Sequence, residues 1–162
     1  MQPTLDWRKR FYPLLASRVT SRLLAPILPF LDRFVFRLSH GQQTLVSMLA
    51  GLPSIILTTT GAKSGQPRQT PLLGIPQGKS FIIIGSNFGG KHHPAWVYNL
   101  RAHAEVKVSL NGFTNEYIAR EVFGEERERC WEEALKYYPG YHRYKQRAGR
   151  EIGVFLLEPK QP

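Results

Sequence analysis

Ile55-Ile56-Leu57-Thr58-Thr59-Thr60-Gly61-Ala62-Lys63-Ser64-Gly65-Gln66-Pro67-Arg68-Gln69-Thr70-Pro71-Leu72-Leu73-Gly74-Ile75 is the stretch on which the fold turns. Its first six residues are apolar or β-branched, and side chains branched at Cβ suit a pleated strand better than a helix. Two glycines and a proline then punctuate the chain, and an extended pattern resumes from Gln69 to Ile75. Pro76-Gln77-Gly78-Lys79 is a second turn signal, after which Phe81 to Gly85 is again apolar. Three strands in a meander are expected here.

Toward the C-terminus the two periods alternate. A short helix is expected from about Pro94 to Ala102, then a strand from Val106 to Leu110. Asn111-Gly112 is a strong two-residue hairpin signal, so Thr114 to Val122 should return beside that strand. Gly124 to Tyr137 reads as a helix with Glu125 and Glu126 at its positive end and Pro139-Gly140 closing it. Ile152 to Leu157 is the last strand. About six strands with short connections imply a mainly antiparallel sheet, closed or nearly closed because a small sheet otherwise leaves pairing edges bare. The class is α+β, a small barrel with helices packed on it.

Toward the N-terminus the character changes. The first fifty residues are rich in Leu, Arg and Pro and carry only two acids, Asp6 and Asp32. Ile27, Leu31, Phe34 and Leu38 recur at helical spacing, and Ser39-His40-Gly41 is a plausible stop. Residues 1–50 are therefore expected as a helical, basic, amphipathic extension and residues 51–162 as the barrel domain. The longest apolar run, Leu23 to Leu31, is cut by Pro26 and Pro29, too short and broken to span a bilayer. The basic start (Arg8, Lys9, Arg10) lacks a clean cleavage pattern, so no secretory signal is expected.

Over the 162 residues, 22 Lys plus Arg against 12 Asp plus Glu leave a net charge of +10, which favours anionic partners. The single cysteine, Cys130, excludes an internal disulfide and a Cys-based zinc site and points to a reducing, cytoplasmic setting.

Three clusters could carry chemistry. Thr58 to Arg68 places hydroxyls, Lys63 and Arg68 around Gly61 and Gly65 at a strand end, in outline a phosphate cradle. It lacks the Lys-after-Gly order of a Walker loop, and an ordinary solvated hairpin has the same composition. Gly85 to Trp96, with Asn99 one turn beyond, offers backbone donors suited to the carbonyl edge of a flat heteroaromatic ring. Adjacent His92 and His93 point apart and have no carboxylate or Cys at ligand spacing, so no metal is expected. Trp96 on its own reads as core. Tyr138, Tyr141 and Tyr144 repeat every three residues and so line one side of a helical segment. Spacing alone favours their packing against the barrel over their facing a cavity.

In order, Leu57-Thr58-Thr59-Thr60-Gly61, Lys63-Ser64-Gly65, Arg68, Pro71-Leu72, Gly85-Ser86, Pro94, Trp96, Asn99-Leu100 and the Tyr-Pro-x-Tyr stretch resemble the deazaflavin (F420)-dependent nitroreductase family, from about Leu52 to Pro159. That resemblance implies a split β-barrel and a reductase using coenzyme F420, an 8-hydroxy-5-deazaflavin that passes hydride and not single electrons. It implies that Lys63 and Arg68 meet the phosphate and glutamate tail, helped by Thr60, Ser64 and backbone amides, with Pro71 among the cofactor contacts. Ser86, Asn87 and Gly89 would line the ring, with Trp96 and Asn99 behind it. Tyr138, Tyr141 and Tyr144 match tyrosines that face the acceptor, and Ser86 would polarise or protonate it. The acceptor would be a quinone, nitroaromatic or activated alkene. Ala62 stands where the family often has Arg, and Asn87-Phe88 and His92-His93 replace residues that are often cationic or smaller.

Two other readings stand beside it. One is an FMN-binding enzyme of the same barrel. The other is a non-catalytic, membrane-associated module whose N-terminal cations and Ile27, Phe30, Phe34 and Leu38 would engage anionic lipid on the inner face of the cell membrane. Nucleic acid is not expected, since the aromatics are not interleaved with Lys and Arg and no RNA-binding motif is present. A monomer or homodimer is expected.

Overall fold

The computed structural model describes residues 54–161. The helices and lipid-facing residues expected before Pro53 lie outside that range. Seven strands form one sheet: β1 Ser54–Thr60, β2 Pro67–Leu73, β3 Ile75–Gln77, β4 Ser80–Ile84, β5 Glu105–Leu110, β6 Phe113–Glu121 and β7 Val154–Pro159. Three helices accompany them: α1 Ala95–Ala102, α2 Gly124–Tyr137 and α3 Gly140–Ala148. The strand order is β2-β1-β5-β6-β7-β4-β3, and every neighbouring pair is antiparallel.

The expected single strand from Gln69 to Ile75 is two strands, and the expected meander is two hairpins. β2 and β3 follow one another in the chain yet form opposite edges of the sheet, with Gly74 alone between them. One residue spans only about 7 Å from Cα to Cα of its neighbours, so the edges must meet there and the sheet must curl into a barrel. Gly74 permits the corner because a Cβ on it would lie 2.8 Å from Cγ2 of Ile55. The third strand of the expected set, β4, pairs with the C-terminal strand β7 and leaves β1 to pair with β5.

The apolar runs of β4 and β7 have the same cause. Ile83, Phe155 and Leu157 point into the barrel with Ile55, Leu57, Val97 and Leu100. Ile82, Ile84, Val154 and Leu156 point the other way, onto α2 and α3. Strand side chains alternate between faces, so a strand covered on both sides has no polar half. α2 buries Arg127, Cys130, Trp131 and Ala134, spaced at three, four and seven residues as one helical face requires. The Asn111-Gly112 turn joins β5 and β6 with φ of 51° and 83°, the left-handed pair that matches strand twist. Among the described residues no helix is long and apolar enough to cross a membrane.

Candidate functional site

The Gly61–Arg68 turn leaves β1 and enters β2. The amide of Gly61 donates to Gln66 O and that of Gly65 to Gly61 O, both at 2.8 Å. Gln66 N donates to Ser64 Oγ at 3.3 Å, which leaves that hydroxyl its own O–H to donate. A Cβ on Gly61 would meet Ser64 Oγ at 2.6 Å and Gln66 O at 3.2 Å, so a side chain there would make the turn shift. Lys63 and Arg68 are exposed. Arg101, Arg120, Arg127, Lys136 and Lys160 each meet a carboxylate within ion-pair distance. Lys63 and Arg68 meet none among the described residues, and two uncompensated cations on one short turn attract an anion. Thr60 sits half-buried at the end of β1, and Pro71 half-buried in β2 opposite Ile56.

Asn99 on α1 holds this turn from behind. Its side-chain amide donates to Thr59 Oγ1 at 3.0 Å and its carbonyl oxygen accepts from Ala62 N–H at 3.0 Å. Thr59 is 2% exposed and Asn99 8%, so these are buried bonds, costly to strand. Asn99, expected behind a ring, clamps the Gly61–Arg68 turn to α1. Trp96 lies in the barrel core, edge-on to Phe155 at 5.8 Å, as its composition alone suggested.

The second loop begins where β4 ends. Gly85 N donates to Gly153 O at 2.9 Å, and a Cβ on Gly85 would lie 2.7 Å from Val97, so the strand end is pressed against α1. α1 therefore touches both loops, through Val97 on one and Asn99 on the other. Asn87, Phe88 and Gly89 follow with φ of 48°, 53° and 76°. Two successive non-glycine residues in the left-handed region must be held by their surroundings. Ser86 O accepts from Gly89 N–H and Asn87 O from Gly90 N–H. Asn87 Nδ2 donates to His92 O at 3.1 Å. The Ser86 hydroxyl, 9% exposed as a residue, has no hydrogen-bond partner among the described residues.

Sequence reading missed Arg150. Its Nε donates to Gly90 O at 3.1 Å, Nη1 to His93 Nδ1 at 3.0 Å, and Nη2 to Gly85 O, Ser86 O and His92 O at 3.2, 3.4 and 3.0 Å. Only Gly149 before it, at φ 60° as the cap of α3, marked the place; the partners lie 57 to 65 residues away. Because His93 accepts at Nδ1, its ring is neutral with the proton on Nε2. Burial first, then the charges of Arg150 and Arg101, push its pKa below the ordinary histidine value, against a smaller pull from Glu121.

The third cluster meets the second through α3. Phe88 packs edge-on against Tyr144 at 6.1 Å, and a Cβ on Gly89 would lie 3.1 Å from Tyr144 O. Tyr138, Tyr141 and Tyr144 do not form an open wall. They are 6, 5 and 4% exposed, stack on one another and on Trp131, and Tyr138 and Tyr144 share a hydroxyl hydrogen bond of 3.0 Å. Burial pushes the Tyr141 hydroxyl far above the usual tyrosine range and that of Tyr144 upward as well.

The donor set fits a ligand with an anionic tail and a flat, carbonyl-bearing head: two free cations on one turn, backbone amides and a spare hydroxyl on the next, and one helix behind both. The family model for F420H(2)-dependent quinone reductase matches residues 33–159. The chain is similar to F420H(2)-dependent quinone reductase Rv1261c of Mycobacterium tuberculosis, with 32% identity over 108 residues covering 65% of this chain and 72% of that protein. Its fold is similar to a solved F420-H2 dependent reductase (FDR-A), with TM-score 0.61 and 37% identity over 65% of this chain and 94% of that one. A structure described as a domain-swapped dimer matches with the same TM-score and identity and 80% of its own length. The heme storage protein HutZ of Vibrio cholerae, at 13% identity and TM-score 0.51, shares the fold alone.

Proposed function

The chain belongs to the F420H(2)-dependent quinone reductase family, and from that premise we propose that the Gly61–Arg68 turn and the Gly85–His93 loop together bind coenzyme F420. The protein is an oxidoreductase with a split β-barrel fold, and its cofactor is F420. Lys63 and Arg68 hold the negatively charged phosphate and glutamate tail, with Thr60 and the turn amides beside them. Ser86, Asn87 and Gly89 border the ring, and Asn99 keeps the turn in register with α1. The observation that carries this reading is Lys63 and Arg68, without an acidic partner among the described residues, on a turn clamped through Ala62 N–H to the helix behind the second loop.

When bound, the reduced deazaflavin supplies a hydride to the acceptor. What the chain must add is positioning, exclusion of water, and a donor where negative charge develops on the acceptor oxygen. Ser86 is placed for that last task, because its hydroxyl has no competing partner. The three tyrosines shape the floor of the loop through Phe88 and Gly89, and their hydroxyls reach an acceptor only if the Tyr138–Tyr144 pair opens. A planar quinone fits best, in line with the family; nitroaromatics and activated alkenes are further acceptors of the same shape.

The test mixes purified protein, reduced F420 and a soluble quinone and follows cofactor oxidation. Turnover is expected, and neither binding nor turnover would refute the assignment. Lys63→Ala and Arg68→Ala should each weaken F420 binding about tenfold, or ~1.4 kcal/mol, with the loss shrinking as salt rises. Unchanged affinity would remove the tail-binding role.

The basic segment before Pro53 is proposed to rest on anionic lipid, as a quinone reductase working at a bilayer would need, in a cytoplasmic setting. Sedimentation with anionic vesicles, comparing the full chain with a deletion of residues 1–40, decides this. Equal sedimentation would exclude it.

A further inference from the structure

We propose that Arg150 is the positioning residue that turns the peptide amides of the 85–93 loop toward the cofactor ring; the inference rests on the reading of the site given above. Four carbonyls of this loop, those of Gly85, Ser86, Gly90 and His92, converge on its guanidinium within 3.0 to 3.4 Å. In a trans peptide the C=O and the following N–H point in opposite directions. Drawing these oxygens to one side therefore drives the N–H groups of Ser86, Asn87, Lys91 and His93 to the other. The Ser86 amide is used by Ile84 O, whereas those of Asn87, Lys91 and His93 have no backbone acceptor among the described residues. The result is a row of outward donors bordered by the spare Ser86 hydroxyl, suited to the carbonyl edge of a flat heteroaromatic ring.

Without a cation at their centre these oxygens would repel one another, and the left-handed run at Asn87 and Phe88 would lose its support. A guanidinium has five N–H donors in a plane, which is what several carbonyls and His93 Nδ1 arranged around one point demand; an ammonium offers three from a single atom. The groups facing His93 are Arg150, Arg101, Glu121 and the ring of Tyr98. Glu121 is itself paired with Arg101 at 2.7 Å, so Arg150 remains bound to the loop and is not drawn off by an acid.

The experiment measures binding of two probes to the full chain by fluorescence: F420, and the same ring carrying only its ribityl chain, without phosphate or glutamates. Arg150→Met should lose about tenfold in affinity for the tail-less ring, and millimolar guanidinium should restore it. Arg150→Lys, which keeps the charge, should fold normally yet stay impaired. Lys63→Ala/Arg68→Ala should bind the tail-less ring like the wild type while losing affinity for F420. With quinone as acceptor, Arg150→Lys should show a lowered kcat at saturating cofactor as well as a raised cofactor KM. Ring binding within twofold of wild type in either Arg150 variant overturns the proposal, and so does a loss that guanidinium does not repair. A wild type that binds neither probe overturns the cofactor assignment itself and this proposal with it.

Discussion

Asn99 offers the sharpest separation of stability from ligand affinity. Its side chain makes two buried hydrogen bonds of 3.0 Å, to Thr59 Oγ1 and from Ala62 N–H. Asn99→Ala removes both, a loss of about 2 kcal/mol, and strands the Thr59 hydroxyl for about 1 kcal/mol more. Thr59 retains only its long bond to Arg68 O at 3.4 Å. At ~2–4 °C per kcal/mol for a chain of this size, Tm should fall by about 6–12 °C. Asn99→Asp is nearly isosteric and keeps an acceptor for Ala62 N–H, while the Thr59 hydroxyl can reverse its proton to donate. Its Tm should fall less, but it puts a negative charge behind the turn that carries Lys63 and Arg68. Were a bound phosphate about 8 Å from that charge, the repulsion would be about 2 kcal/mol at an effective dielectric near 20, roughly thirtyfold in affinity. Thermal unfolding and fluorescence titration with F420 measure the two effects. An Asn99→Asp protein that binds F420 as tightly as the wild type would refute the clamp as part of an anion site. An Asn99→Ala protein within about 2 °C of wild type would refute the energetic argument.

Further outcomes follow from the same geometry. Gly89→Ala, forced to φ 76° with its Cβ 3.1 Å from Tyr144 O, should destabilise the protein by about 1–3 kcal/mol in urea unfolding; an unchanged midpoint would mean α3 does not pack against the loop as described. His93 is held below its ordinary pKa in the fold, so its contribution to stability is complete above about pH 6.5 and is lost as pH falls through the lowered folded value. His93→Asn, which keeps an acceptor for Arg150, should flatten that part of the stability profile below about pH 6.5; a profile identical to wild type counts against it. In an alkaline absorbance titration Tyr141 and Tyr144 should stay un-ionised until the fold is lost, because burial raises both. Their ionisation in a single step with the fold intact at about pH 11 would contradict the packed cluster.

Most of the element plan was legible in residue pattern. The helix at Gly124–Tyr137, the turn at Asn111-Gly112 and the strand ending at Thr60 stand where periodicity and turn chemistry put them, because those signals act over a few residues. The break at Gly74 was not legible. One glycine inside an extended run reads as a continuing strand, and only the closure of the sheet makes it a corner. The cations Lys63 and Arg68, proposed to hold the cofactor tail, were visible as residues, whereas their lack of acidic partners among the described residues depends on which carboxylates the fold brings near. Arg150 gave no local sign of its role, since all the loop atoms it gathers are remote in the chain. The tyrosine triplet was expected on one side of a helical or turn-like segment; Tyr141 and Tyr144 lie on α3, whereas Tyr138 stands in extended conformation after α2, and their common burial beside Phe88 and Gly89 became apparent in three dimensions.

By itself, then, the order of residues determined the elements, the antiparallel barrel class, the family and the composition of each loop. Those follow from backbone sterics, side-chain alternation and motif spacing, all of which are short-ranged. Tertiary structure decided which edges meet at Gly74, that α1 touches both loops, that Asn99 clamps one of them and Arg150 orients the other. Contacts between residues remote in the chain form only when burial brings them together, and no local pattern encodes that choice.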